Sequence, residues 1–140
     1  MVVGKRMTPN PVTVDPTTPV SDARKIMQRE KIHRLPVVDR HGKVVGIVTE
    51  SDLLKIFIEL FGARRQGIRA TILIPERPGV LAEVAQAIRD RGGDIISLGT
   101  FLGEDPSNAY CTFKVQDITR EDLAACLAPH VEKITDLREV

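Results

Sequence analysis

The chain has no tryptophan and one tyrosine, with four phenylalanines among its 140 residues. Proteins that stack bases on aromatic platforms are therefore a poor fit. Net charge is also nearly absent, with 20 basic and 19 acidic side chains giving +1 at pH 7. No global field draws such a chain to nucleic acid or to an anionic membrane. Cys111 and Cys126 are its two cysteines, and they match no metal or redox spacing. Both fall in apolar patterns, which predicts buried free thiols and a reducing compartment. No apolar run approaches the ~20 residues of a bilayer-spanning helix. The longest, residues 53–61, is interrupted by Lys55 and Glu59 at helical spacing. With no signal-peptide pattern, the expectation is a cytoplasmic protein that engages neither nucleic acid nor membrane. Signatures of catalysis are missing too. No serine or cysteine has a paired base at recognisable spacing, no phosphate loop occurs, and His33 and His41 lack a third metal ligand. A non-enzyme with no required cofactor and no metal is expected.

What is present is enough apolar content, 42%, for a packed core. Charge is split unevenly: residues 1–66 carry 12 basic and 7 acidic side chains, residues 67–140 carry 8 and 12. Either an anionic ligand near the first half or two differently charged solvated surfaces would produce that split. The chain divides at a short polar stretch, residues 62–67, opened by Gly62. Residues 1–61 read as strand, helix, strand, strand, helix. Residues 12–14 are the first strand. Thr18 caps a helix with Pro19 at its first position, and Val20, Ala23, Ile26 and Met27 form its apolar stripe. Residues 35–38 and 44–48 are nearly all apolar, as in strands covered on both faces, and flank a tight turn at 40–43. Residues 51–61 close the unit.

Residues 68–140 read as strand, helix, strand, strand, helix, strand. Ile68, Ala70, Ile72 and Ile74 alternate with Arg69, Thr71 and Leu73, a half-buried strand. Residues 75–79 turn into a helix bearing Leu81, Val84, Ala85 and Ile88, which Gly92 and Gly93 end. A hairpin over 95–102 and 109–115 follows, then a helix capped by Thr119 with Asp122 as its reciprocal partner, then a strand from 134. A βαββαβ chain of this kind forms an antiparallel sheet with both helices on one face. The fold class expected is α+β, in α/β layers.

Residues 31–52 carry the strongest functional signal. The second strand of the hairpin runs directly into a helix through Thr49-Glu50-Ser51-Asp52. Such a junction gathers free N–H groups, a hydroxyl and a carboxylate, which suits the phosphate and ribose of a nucleotide. His33 and Arg34 add positive charge at the start of the first strand. Thr49 and Asp52 also fit a capping box, in which each bonds the other's backbone N–H; either role accounts for their presence.

Three segments of the first half are similar to a single CBS motif: Met7-Thr8-Pro9 with Val12-Thr13-Val14, Lys31 to Asp39, and Gly46 to Asp52. The second half resembles an ACT domain through Arg77-Pro78-Gly79-Val80-Leu81 and Gly93-Asp94-Ile95. A CBS unit followed by an ACT unit resembles the AcuB-type acetoin utilisation proteins, which usually carry two CBS motifs where this chain has one. The resemblance implies domains at 1–61 and 68–140 joined by a linker at 62–67. It implies an adenine nucleotide (AMP, ADP, ATP or a relative) at the CBS unit. Thr49 would contact phosphate or ribose, Asp52 the ribose hydroxyls, and His33 and Arg34 the phosphates, with Val12, Thr13 and Pro36 bordering the ligand. For the ACT unit it implies Glu76, Gly79, Val80, Leu81, Asp94 and Ile95 as effector candidates, with assembly alone as the alternative. A lone CBS motif leaves an apolar sheet face bare, so a homodimer through CBS pairing is expected. ACT pairing would add a tetramer, and a client enzyme would receive the signal through movement at 62–67. The competing reading is an adaptor homo-oligomer with no small ligand.

Overall fold

Local chemistry fixes the first turn. Asp15 Oδ1 accepts hydrogen bonds from the Thr17 N–H at 2.7 Å and the Thr17 hydroxyl at 2.5 Å, while Thr18 Oγ1 accepts from the Asp15 N–H at 3.2 Å. Thr18 is thus engaged in its own turn and does not cap the helix. Pro19 takes the cap position of α1 (Val20–Glu30), and its carbonyl accepts from the N–H groups of Asp22 and Ala23. Proline's fixed φ suits an entry where no side-chain cap forms. Of the expected stripe, Ala23 and Met27 are buried and Val20 is exposed. Lys31, in the left-handed conformation, ends α1.

The computed structural model describes residues 2–140, and they fall into two compact units that divide between Phe57 and Ile58. In the first, β1 (Arg34–Val38) and β2 (Val44–Thr49) pair antiparallel around a turn in which Asp39 Oδ1 accepts from the N–H groups of His41 and Lys43. The expected strand at 12–14 reduces to one parallel bridge between Val14 and Val37. Only the Val14 N–H and C=O reach β1, bonding Pro36 and Val38. Two-sided cover of the hairpin is also corrected. Leu35 and Val48 face a small core with Val14, Ala23 and Met27, whereas Val44, Val45 and Ile47 are 63%, 56% and 56% exposed. Strand residues alternate between faces, so Arg34, Pro36, Ile47 and Thr49, paired 34 with 49 and 36 with 47, share the face away from that core. Helix α2 (Glu50–Leu60) follows with no gap.

The boundary between the units falls inside α2, a few residues before the expected division at 62. The polar stretch after it is fastened to the second unit. Lys114, 5% exposed, donates from Nζ to the carbonyls of Gly62 at 2.9 Å and Arg65 at 2.7 Å.

In the second unit, β3 (Ile68–Pro75), β4 (Asp94–Leu102), β5 (Asn108–Gln116) and β6 (Lys133–Glu139) form one antiparallel sheet in the order β4-β5-β3-β6. That is the ferredoxin-like split βαβ order. Helices α3 (Val80–Asp90) and α4 (Arg120–Leu127) bury Val80, Val84, Ile88, Leu123, Cys126 and Leu127 against Ile68, Ala70, Ile72, Ile74 and Phe113. Thr119 caps α4: its Oγ1 accepts from the Asp122 N–H at 3.1 Å. Leu73 departs from the expected alternation, being only 2% exposed on the outer face. Its cross-strand neighbours are Tyr110 and Lys133, and the Glu104 carboxylate accepts from both. Cys111 and Cys126 are buried free thiols, and burial pushes the Cys111 thiol up to about 11. Among the described residues no helix is long and apolar enough to cross a membrane.

Candidate functional site

The junction of β2 and α2 is built by its own backbone needs. Thr49 Oγ1 accepts from the Asp52 N–H at 3.1 Å, and Asp52 Oδ2 accepts from the Thr49 N–H at 2.9 Å and its hydroxyl at 2.8 Å. The capping box is therefore formed. It occupies one carboxylate oxygen. The other, Oδ1, lies 3.9 Å from Lys55 Nζ and takes no hydrogen bond in the cap. The Thr49 hydroxyl bond, then its N–H bond and the Lys55 charge, hold the Asp52 carboxyl below its ordinary value of 3.8.

Across the hairpin, Arg34 is the register partner of Thr49. Its guanidinium is exposed and makes no hydrogen bond or ion pair among the described residues. The parallel bridge at Val14 runs the preceding residues alongside the start of β1, which brings half-buried Val12 and exposed Thr13 to the same end. Thus Val12, Thr13, Arg34, Pro36, Thr49 and Asp52 gather around one end of the hairpin.

His33 has a different partner from the one expected. Its Nδ1 lies 2.8 Å from Glu50 Oε2, and Arg24 Nη1 of α1 lies 3.8 Å from Glu50 Oε1. The hydrogen bond with His33, aided by the charges of His33 and Arg24, holds the Glu50 carboxyl below its ordinary value. Glu50 and Arg24 are additions to the set read from sequence. The available signal was an acid at the first helical position, favoured there by the helix dipole; its pairing with residue 33 depends on hairpin register.

Carboxylates with depressed values stabilise the fold above their unfolded pKa, and that contribution disappears as pH falls through the folded value. For Glu50 and Asp52 the ordinary values are 4.5 and 3.8. Melting followed by circular dichroism should therefore show a falling Tm as pH drops below about 4.5. A Tm that holds from pH 6 to pH 3 would contradict these pairings.

In the second unit, Glu76, Gly79, Val80 and Leu81 line one cavity of about 330 Å³, together with Arg77 and Thr100. Asp94 and Ile95 are elsewhere. They begin β4 just after α3, whereas the cavity lies at the start of α3, a helix of 11 residues or ~16 Å. Asp94 instead accepts from Gln116 Nε2 at 2.8 Å. Arg77 donates twice to Glu83, at 2.9 and 2.8 Å, while Glu76 leaves a carboxylate on the cavity wall. No cluster of three or more His, Cys, Asp or Glu residues suited to a metal occurs among the described residues.

Residues 3–59 match the family model of the CBS domain. The first unit therefore carries a single CBS domain, a module that is characteristically non-catalytic and regulatory and that commonly pairs. The chain is 41% identical over 68 residues to the chloroplastic CBS domain-containing protein CBSX1 of Arabidopsis thaliana, covering 49% of this chain and 28% of that protein. A CBS domain-containing protein of Dictyostelium discoideum is 41% identical over 58 residues, covering 41% of this chain and 40% of its own length. The crystal structure of CBSX2 in complex with AMP is 38% identical over 46% of each chain, with a TM-score of 0.41. The chain thus spans 28% and 40% of the length of the first two of these relatives.

Proposed function

We propose that the protein is a non-catalytic regulator that binds an adenine nucleotide at paired CBS units. One observation carries this reading. The capping carboxylate of Asp52 keeps an oxygen outside its cap, on the hairpin end where an unengaged guanidinium, Arg34, stands across from Thr49. Cap and ligand roles are compatible in one residue: Oδ2 holds the helix start and Oδ1 accepts from ribose hydroxyls. Arg34 makes the charge-assisted phosphate contact, and Val12, Thr13 and Pro36 border the base. The AMP in the CBSX2 crystal belongs to that protein; here the ligand class rests on this donor and acceptor set.

A second copy of the chain completes the site, because Arg34, Pro36, Ile47 and Thr49 share the face left bare by the protomer. The second unit, read as an ACT domain, adds a further pairing surface toward a tetramer or takes a small effector in the cavity at Glu76, Gly79, Val80 and Leu81. An AcuB-type role follows, in which ligand occupancy shifts the pairing of units and so reaches a client enzyme. That works as a switch only if nucleotide binds one arrangement more tightly than another.

A thermal-shift series with AMP, ADP, ATP and S-adenosylmethionine tests the reading. At a hundredfold excess over Kd a bound nucleotide stabilises the folded state by ~2.7 kcal/mol, so Tm rises clearly. Asp52→Asn should preserve folding, since its amide oxygen still accepts from the Thr49 N–H at the helix start, while the amide nitrogen in place of Oδ1 raises Kd roughly tenfold by removing the ribose acceptor. If no nucleotide at several hundred micromolar moves Tm, the adaptor reading takes its place; its support is the bare apolar hairpin face.

A further inference from the structure

The stretch expected to act as a slack linker is seated residue by residue on the second unit. Its seat is the outer face of the sheet, at β4 and β5. Gly62 takes the left-handed conformation, φ +62°. An added Cβ there would lie 3.1 Å from the Ile96 side chain, so any other residue would be both strained and crowded. Phe61 stands over Gly99 of β4, where an added Cβ would lie 3.4 Å from two ring carbons. Lys114 Nζ bonds the carbonyls of Gly62 and Arg65, just past the C-terminal end of α2, where a cation is favoured. Arg65 Nη2 then donates to Gln116 Oε1 at 3.0 Å, and Gln116 Nε2 to Asp94 Oδ2 at 2.8 Å, which gives Asp94 a place in the seat. Gly67 closes the run by exchanging two backbone hydrogen bonds with Val140, at 3.1 and 3.0 Å.

We propose that residues 61–67 are a latched strap: a fixed part of the second unit while Lys114 holds Gly62 and Arg65, and a free tether once it lets go. The movement expected at residues 62–67 then requires the latch to open. Opening releases about 24 Å of chain when residues 61–67 are extended. Lys114 is the decisive contact. It is 5% exposed, so both carbonyls meet a buried ammonium in place of water, and charge-assisted bonds are roughly twice as strong as neutral ones. The Arg65–Gln116 bond is exposed, and water competes for both of its partners. The strap concerns the second unit only and stands apart from the nucleotide reading.

The test is trypsin digestion of the full chain under native conditions, with cleavage after Arg64 and Arg65 timed by mass spectrometry. Both residues are exposed, so any protection comes from the docked backbone. Where opening and closing are fast, the cleavage rate follows the population of open strap. The native chain should be cut there at least about tenfold more slowly than a synthetic peptide spanning residues 58–70. Lys114→Met keeps the apolar stem, removes both donors, and should speed the cut by at least roughly tenfold. Gly99→Val keeps Lys114 but fills the seat of the Phe61 ring; valine suits a strand, and this variant should be cut faster than the native chain as well. Cleavage after Arg89 and Arg120, on α3 and α4, reports opening of the unit itself and should be unchanged in both variants. A native chain cut within about threefold of the peptide would overturn the strap. An unaltered rate in Lys114→Met would overturn the latch. Equal acceleration after Arg89 and Arg120 would overturn it too, since Lys114 would then support the whole unit. None of these outcomes depends on a nucleotide.

Discussion

Under the pairing proposed above, Ile47→Asp is expected to leave a monomer and, in the same step, to remove nucleotide binding. Ile47 is 56% exposed on the protomer and pairs with Pro36 on the face away from the first unit's core. In a two-fold assembly the substitution occurs twice. Each copy loses part of the ~1.5–3 kcal/mol that full burial of such a side chain supplies. Each also places a carboxylate where no partner awaits it. Together these weaken self-association by at least roughly a hundredfold, or about 2.7 kcal/mol. Sedimentation velocity at micromolar concentration reads the first consequence and nucleotide titration the second. The two are linked because Arg34 and Thr49 lie on the face that carries Ile47. A variant that remains dimeric places the interface elsewhere. A monomeric variant that still binds nucleotide at native affinity shows that one protomer makes a whole site.

Phe113→Ala should have the largest effect on stability. Phe113 is the bulkiest fully buried side chain, 1% exposed at the centre of β5 between Ala70 of β3 and Leu98 of β4. Both helices of the second unit close over the layer to which it belongs. Removing a buried aromatic ring costs ~3–5 kcal/mol through lost transfer energy and the cavity left behind. For a domain of this size that lowers Tm by at least about 12 °C. Phe113→Leu retains most of the volume and should cost much less. Chemical denaturation of the three proteins provides the comparison, and an alanine variant within about 1 kcal/mol of the native protein would contradict this packing. The core of the first unit shares no residue with that of the second, so the loss should appear in one unit only.

Sequence was most informative where a residue's role is local. The reciprocal cap at Thr49 with Asp52 is made within three residues and forms as expected, and Thr119 caps its helix as expected, although Asp122 returns its bond to the Thr119 hydroxyl and not to the N–H. The βαββαβ order of the second half was legible from periodicity because each strand alternates or is bounded by glycine and proline. Where partners are distant, the reading failed. Thr18 is a local exception: it looks like a cap until the Asp15 N–H, three residues before it, takes its hydroxyl. Residues 12–14 look like a strand, yet only Val14 finds a neighbour. Leu73 looks outward-facing, and its burial depends on Tyr110, Lys133 and Glu104 meeting over it. Asp94 joined the effector candidates through a sequence pattern, although the length of α3 separates it from Gly79. Glu50 escaped notice because its partners are contributed by α1 and the start of β1. Thr18 apart, residues fixed within their own turn were legible and residues fixed by distant partners were not.

Among the described residues the buried core of the first unit consists of four side chains, Val14, Ala23, Met27 and Leu35, against fourteen in the second. Burial on that scale leaves little margin over chain entropy, so under the proposed pairing a protomer without its twin carries one durable half and one soft half. Cellular proteases act on the open fraction of a chain. Unmatched copies would be cleared through residues 1–57 while assembled ones persist, and the amount of protein in the cell would climb more steeply than its rate of synthesis.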